Sequence, residues 1–104
     1  MARPYGEKFL RELERSKLNT LGIQLAKLCV KANIPATYVA VALDTTPTTV
    51  YSWFRGQGIR EHKRKAVEVF IDLMKQDFDS GTLPALTALD AIQYIESMIG
   101  KKLR

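Results

Sequence analysis

The sequence predicts an all-α fold, a single small domain of five to six helices, and three observations carry that prediction. Almost every long segment places its apolar residues three and four apart, the spacing of one helix face. Strand patterning is poor: only "TYVAVALD" alternates, and the helical pattern on either side absorbs it. The length of 104 residues suits one domain, and a 46% hydrophobic content is enough to fill a core.

Residues 6–15 form a short charged helix with Phe9, Leu10 and Leu13 on one side. Asn19 is expected to cap the next helix, with Leu18 and Ile23 forming a hydrophobic staple. Leu21, Leu25, Leu28 and Ala32 then recur on one face. Asn33 suits a left-handed stop. Pro35 suits the first turn of a short helix near 35–42, which turns Val39, Ala40 and Leu43 inward.

In "DTTPTTVYSWFRGQG", Thr46 is the expected N-cap and Pro47 the first helical residue, where a missing N–H costs nothing. Val50, Trp53 and Phe54 form the buried face. Thr48, Thr49, Tyr51, Ser52 and Arg55 face outward, hydrogen-bonding groups with little charge, and Gly56 stops the helix. A longer helix over 60–78 has its core stripe at Val67, Phe70, Ile71, Met74 and Phe78. It begins "REHKRK", although positive charge opposes the dipole at a helix N-terminus. "DSGTLP" makes a turn, and a last helix over 83–99 carries Leu86, Leu89, Ile92, Ile95 and Ile99.

Charge is uneven. Residues 1–65 hold 12 Lys/Arg against 5 Asp/Glu, and residues 66–104 hold 4 against 6, for a net +5. A basic front half suits a polyanionic partner. No apolar run approaches the ~20 residues of a membrane span, and the start is too charged for a signal peptide, so a cytoplasmic location is expected. Cys29, the only cysteine, lies among apolar residues and reads as a core position. One His and one Cys exclude a His/Cys zinc site. No Gly-rich phosphate loop exists, and Asp77 and Asp79 sit at a helix end that a turn explains. No enzyme activity, metal, cofactor or small-molecule substrate is therefore expected.

Two short helices joined by "LDT", in a small helical domain, suggest a helix-turn-helix. Residues 21–56 resemble the Cro/phage-repressor (XRE-type) family, whose members read roughly "LAxxxGxSxxxLAxxLGVSxxTISxWExG"; this chain has "LAKLCVKANIPATYVAVALDTTPTTVYSWFRG". Leu25-Ala26, Val39-Ala40, Thr49-Val50, Trp53 and Gly56 fall in register, over about a third of the chain. The motif core would be Ala40, Asp44, Val50 and Trp53. Four positions depart from the pattern. Asp44 replaces the turn glycine, Thr45 the following valine, and Ala36 the polar residue heading the first motif helix; Pro47 stands where relatives often touch a base.

The resemblance implies a lambda-repressor-like fold whose helix at 46–55 enters the major groove of double-stranded DNA. Thr48, Tyr51 and Ser52 would then meet bases. Thr37, Thr46, Thr49, Arg55, Arg60, His62, Lys63 and Arg64 would hold phosphates. His62 is a phosphate or groove contact, or else an ordinary exposed side chain. No Gln, Asn or N-terminal Arg offers bidentate base pairing, so sequence reading should be soft.

The expected function is a small sequence-specific transcriptional regulator, a phage-type repressor in a bacterial or phage-infected cell, with residues 19–78 as its DNA-binding core. Two alternatives belong to other classes: a small terminase-like packaging or architectural DNA-binding protein, and an interaction module such as a polymerase inhibitor. Specific binding normally needs two half-sites, so a homodimer built on 83–99 is expected, with Leu89, Ile92, Ile95 and Ile99 as its contacts. The competing outcome packs this stripe back on Phe70, Ile71 and Met74 within one chain.

Overall fold

The computed structural model describes residues 4–102, and these form α-helices with no strand among the described residues. In chain order they are α1 (Glu7–Arg15), α2 (Leu21–Ala32), α3 (Ala36–Ala42), α4 (Pro47–Phe54), α5 (Glu61–Asp79) and α6 (Ala88–Ile99). None is long and apolar enough to cross a membrane. The radius of gyration is 12.9 Å, close to the ~13 Å of a folded 100-residue domain.

α2 is the axis of the fold and packs against α1, α4 and α5. The expected single stripe is too narrow for this. Leu25 and Ala32 are buried, Leu21 and Leu28 only half-buried, while Ile23, Ala26 and Cys29 are buried on the remaining faces. A helix surrounded by neighbours must be apolar nearly all round. Burial also pushes the Cys29 thiol up, away from the reactive thiolate. The N-cap of α2 is Thr20 rather than Asn19: the Thr20 hydroxyl accepts from the Ile23 N–H at 3.2 Å. With the cap shifted by one, Leu18 forms no staple and stays 53% exposed, one methyl lying over Gly56.

α2 and α4 meet at Gly22. A Cβ there would overlap the Trp53 carbonyl and lie 2.9 Å from the Trp53 Cβ. α2 stops at Asn33, which is left-handed at φ 61° as expected. Pro35 is the N-cap of α3 rather than part of its first turn, because its ψ of 145° is extended. The α3–α4 turn is left-handed at Asp44, with φ 53°. The Thr45 N–H closes it on the Ala40 carbonyl at 2.9 Å. Thr46 then caps α4 through the Thr49 N–H, with Pro47 in the first turn. Ala40, Val50, Trp53 and Phe54 are buried between these helices.

The N-terminal segment is anchored by a residue the periodicity does not reveal. Tyr5 is buried, and its hydroxyl donates to the Ile34 carbonyl at 2.6 Å. Its ring stacks on Phe9 at 5.4 Å and borders Tyr51 and Phe54.

The last helix begins at Ala88, not at residue 83. Pro84 follows a cis peptide bond, and Thr87 caps α6 by accepting from the Asp90 N–H at 3.1 Å. Residues 83–87 instead form an irregular strap. Its Leu83 and Ala85 are buried, and the Ala85 N–H donates to the Ala32 carbonyl at 2.9 Å. α6 turns Ala91 and Ile95 inward and packs on α3. Its hydrogen bond to α5 runs from the Tyr94 hydroxyl to the Asp77 carboxylate at 2.5 Å. Ile95 is fully buried in the chain's own core, which corrects its assignment as a contact between copies. Ile95 shares that core with Phe70, Ile71 and Met74, the residues named in the competing expectation.

Two substitutions test this packing by chemical unfolding. Gly22→Ala should cost more than about 2 kcal/mol, because the added methyl meets backbone that cannot give way. Ile95→Glu buries a carboxylate with no partner and should cost more than about 4 kcal/mol, abolishing the cooperative transition. A folded Ile95→Glu protein of ordinary stability would contradict the placement of α6.

Candidate functional site

The outer surface of α4 follows from what its inner surface must do. Val50, Trp53 and Phe54 are committed to the core, so Thr48, Ser52 and Arg55, spaced four and three, share the opposite row. Thr48 and Arg55 are exposed and Ser52 is half-buried. Thr49 lies on the flank toward α5, and Tyr51 on the flank toward α1.

Between α4 and the start of α5 lies an open concavity of about 390 Å³. Thr45, Thr49, Ser52, Gln57, Gly58, Arg60, His62 and Lys63 line it together with an edge of Trp53. The chain thus gathers Thr49, Ser52, Arg60, His62 and Lys63 in one place, as the sequence suggested. Gln57 belongs with them and was missed. It lies beyond the helix stop, and its N–H returns to the Ser52 carbonyl at 3.1 Å, folding the 55–58 turn against α4.

Several expected contacts stand elsewhere. Arg55 lines a separate hollow with Glu12 and Ser16 on the α1 side. The ring of Tyr51 is half-buried, 6.0 Å from Phe9 and 5.8 Å from Phe54, which fixes it in the aromatic cluster rather than in the outer row. Thr37, in the first turn of α3, and Arg64 on α5 are exposed but outside the concavity's lining. Thr46 is occupied as a cap and also bonds the Thr49 hydroxyl at 3.0 Å.

Lys63 has a structural duty that the sequence did not announce. Its ammonium donates to the Leu43 carbonyl at 2.7 Å and to the Asp44 carbonyl at 2.8 Å. It clamps the α3–α4 turn to the first turn of α5 and neutralises carbonyls at the C-terminal end of α3. Two of its three donors are spent inside the chain, which leaves one for the expected phosphate contact.

Ser52 is also engaged. Its hydroxyl donates to the Thr49 carbonyl at 2.7 Å, leaving the oxygen as an acceptor. At the head of α5, Arg60 occupies the N-cap and supplies no side-chain acceptor. The Lys63 N–H closes on the Arg60 carbonyl at 2.9 Å, and no side chain caps the head of this 19-residue helix, which lies beside Arg60, His62 and Lys63. Asp44 is the only carboxylate in the sequence between Glu14 and Glu61. No protein-family model, curated protein or solved structure matches the chain.

The two neighbouring cations should behave differently when removed. Lys63→Ala should destabilise by about 1 kcal/mol through the loss of two charge-assisted hydrogen bonds. Arg64→Ala, on an open surface, should stay within ~0.5 kcal/mol of the parent. Equal urea midpoints for the two variants would show that the clamp contributes nothing.

Proposed function

We propose that the chain is a small sequence-specific DNA-binding regulator of the phage-repressor type, with α3 and α4 as its helix-turn-helix and α4 in the major groove. The observation that carries the reading is the α4 face itself. It is a row of short hydroxyls and one arginine, beside a concavity lined by Arg60, His62 and Lys63 and almost free of carboxylates. Such a face has little hydration to lose and is flanked by positive charge, which suits the edge of a duplex.

The roles divide by position. Thr48 and Ser52 sit in the outer row and face base edges. Ser52, with its proton already donated, is an acceptor suited to the amino group of adenine or cytosine. The Thr48 methyl suits a thymine methyl. Arg60, His62 and the uncapped head of α5 hold phosphate, aided by the helix dipole. Arg55 and Arg64 flank the duplex from either side.

One such motif reads only a few base pairs, so we propose a two-fold homodimer. With Ile95 in the core, its contact is the edge of α6 bearing Leu89, 45% exposed, with Ile92 and Ile99, both half-buried.

Selection of bound duplexes from a random pool tests the whole reading, and two symmetric half-sites about one helical turn apart are expected. Arg60→Ala should weaken binding to every duplex and lower the salt slope by about one. Ser52→Ala should shift preference among sites by ~1 kcal/mol or less and leave the slope unchanged. Leu89→Glu should remain folded, sediment as a monomer and bind DNA weakly. Equal affinity for every sequence selected would reject specific readout.

A further inference from the structure

On the far side of the molecule, the strap departs from α5 before α6 returns, and an apolar groove of about 660 Å³ remains between the three. Its apolar lining is Leu73 from α5, Leu83, Ala85 and Leu86 from the strap, and Met98 with the Tyr94 ring from α6. Asp77 and Asp90 also line it, and no Lys or Arg does. Leu73 is 40% exposed and Leu86 is 68% exposed, the highest value among the large apolar residues described as exposed.

A Leu left this open beside a groove of ligand-site volume marks a surface built for contact. The charge on the lining selects the partner. A second copy presenting the same groove would bring Asp77 and Asp90 toward their own equivalents. A cation is the missing complement, and an apolar floor asks for an apolar side chain next to it. We propose that this groove is a docking site for a short peptide segment of another protein, one that carries an apolar side chain flanked by Lys or Arg. The apolar side chain would lie between Leu73, Leu86 and Met98. The cation would reach Asp77 and Asp90, whose carboxylates already accept from the Tyr94 hydroxyl and the Leu86 N–H and are thereby held in place.

The site shares no lining residue with the concavity at α4, so it is tested without DNA. The full chain is panned against a displayed library of random dodecapeptides, and an enriched peptide is synthesised and titrated. Enriched sequences should pair a large apolar residue with Lys or Arg. The Leu86→Lys variant, changed at an exposed position, should bind the synthetic peptide about tenfold more weakly or worse. Val41→Lys, also at an exposed position but on α3 and outside the groove lining, should bind as the parent does. Absence of enrichment, enrichment of acidic peptides, or unchanged binding by Leu86→Lys would overturn the proposal. So would a halving of sedimentation mass in Leu86→Lys, which would give the groove to a second copy.

Discussion

At Gly22 two helices come closer than any side chain would allow, and the rest of the structure is arranged around that contact. α2 must touch α1, α4 and α5 at once, and only a backbone without a Cβ lets α4 settle so near its axis. Once Trp53 rests there, Val50 and Phe54 are carried inward with it. The orientation of Thr48 and Ser52 is then decided from behind, by packing, before any partner is met. A polar face held in this way loses little entropy on association, because the backbone beneath it is already ordered.

The turn between α3 and α4 depends on two constraints of different kinds. Asp44 supplies a left-handed residue, and the Lys63 ammonium holds the carbonyls on either side of the bend. Charge on the first turn of α5 looks unfavourable in a linear sequence, since it opposes that helix's dipole. In three dimensions one of those charges serves the C-terminal end of another helix. The residue that breaks a local rule in α5 thus satisfies one in α3.

Much of this was legible in the sequence, and the failures have physical reasons. Thr46 and Pro47 were readable because a cap and an N1 proline are local features, and Asn33 and Asp44 because few residues accept positive φ. Asn19 and Thr20 are both good caps, so adjacent candidates left the start of α2 ambiguous by one residue. Apolar spacing runs back through Pro84 and so places the start of α6 too early, although "TALD" at 87–90 places a capping hydroxyl three residues before an acid. Within the candidate site, Thr49, Ser52, Arg60, His62 and Lys63 were found because they lie close along the chain. Gln57 was hidden by the stop at Gly56, and Tyr51 was drawn away by aromatic partners far upstream. Tyr5, Gly22 and the clamp of Lys63 act between distant segments, and periodicity does not register such contacts.

Asn33 does two things at once. It closes α2 with a left-handed backbone, which glycine would accept more readily. Its side-chain amide also donates to the Ala85 carbonyl at 3.1 Å, while the Ala32 carbonyl next to it receives the Ala85 N–H. The end of one helix is therefore the template on which a segment more than fifty residues later takes its shape. The rear third of the chain is thereby tied to the middle: the strap is held to the end of α2 through Ala85 and to α5 through the Leu83 N–H on the Asp77 carbonyl, and α6 starts where the strap leaves off.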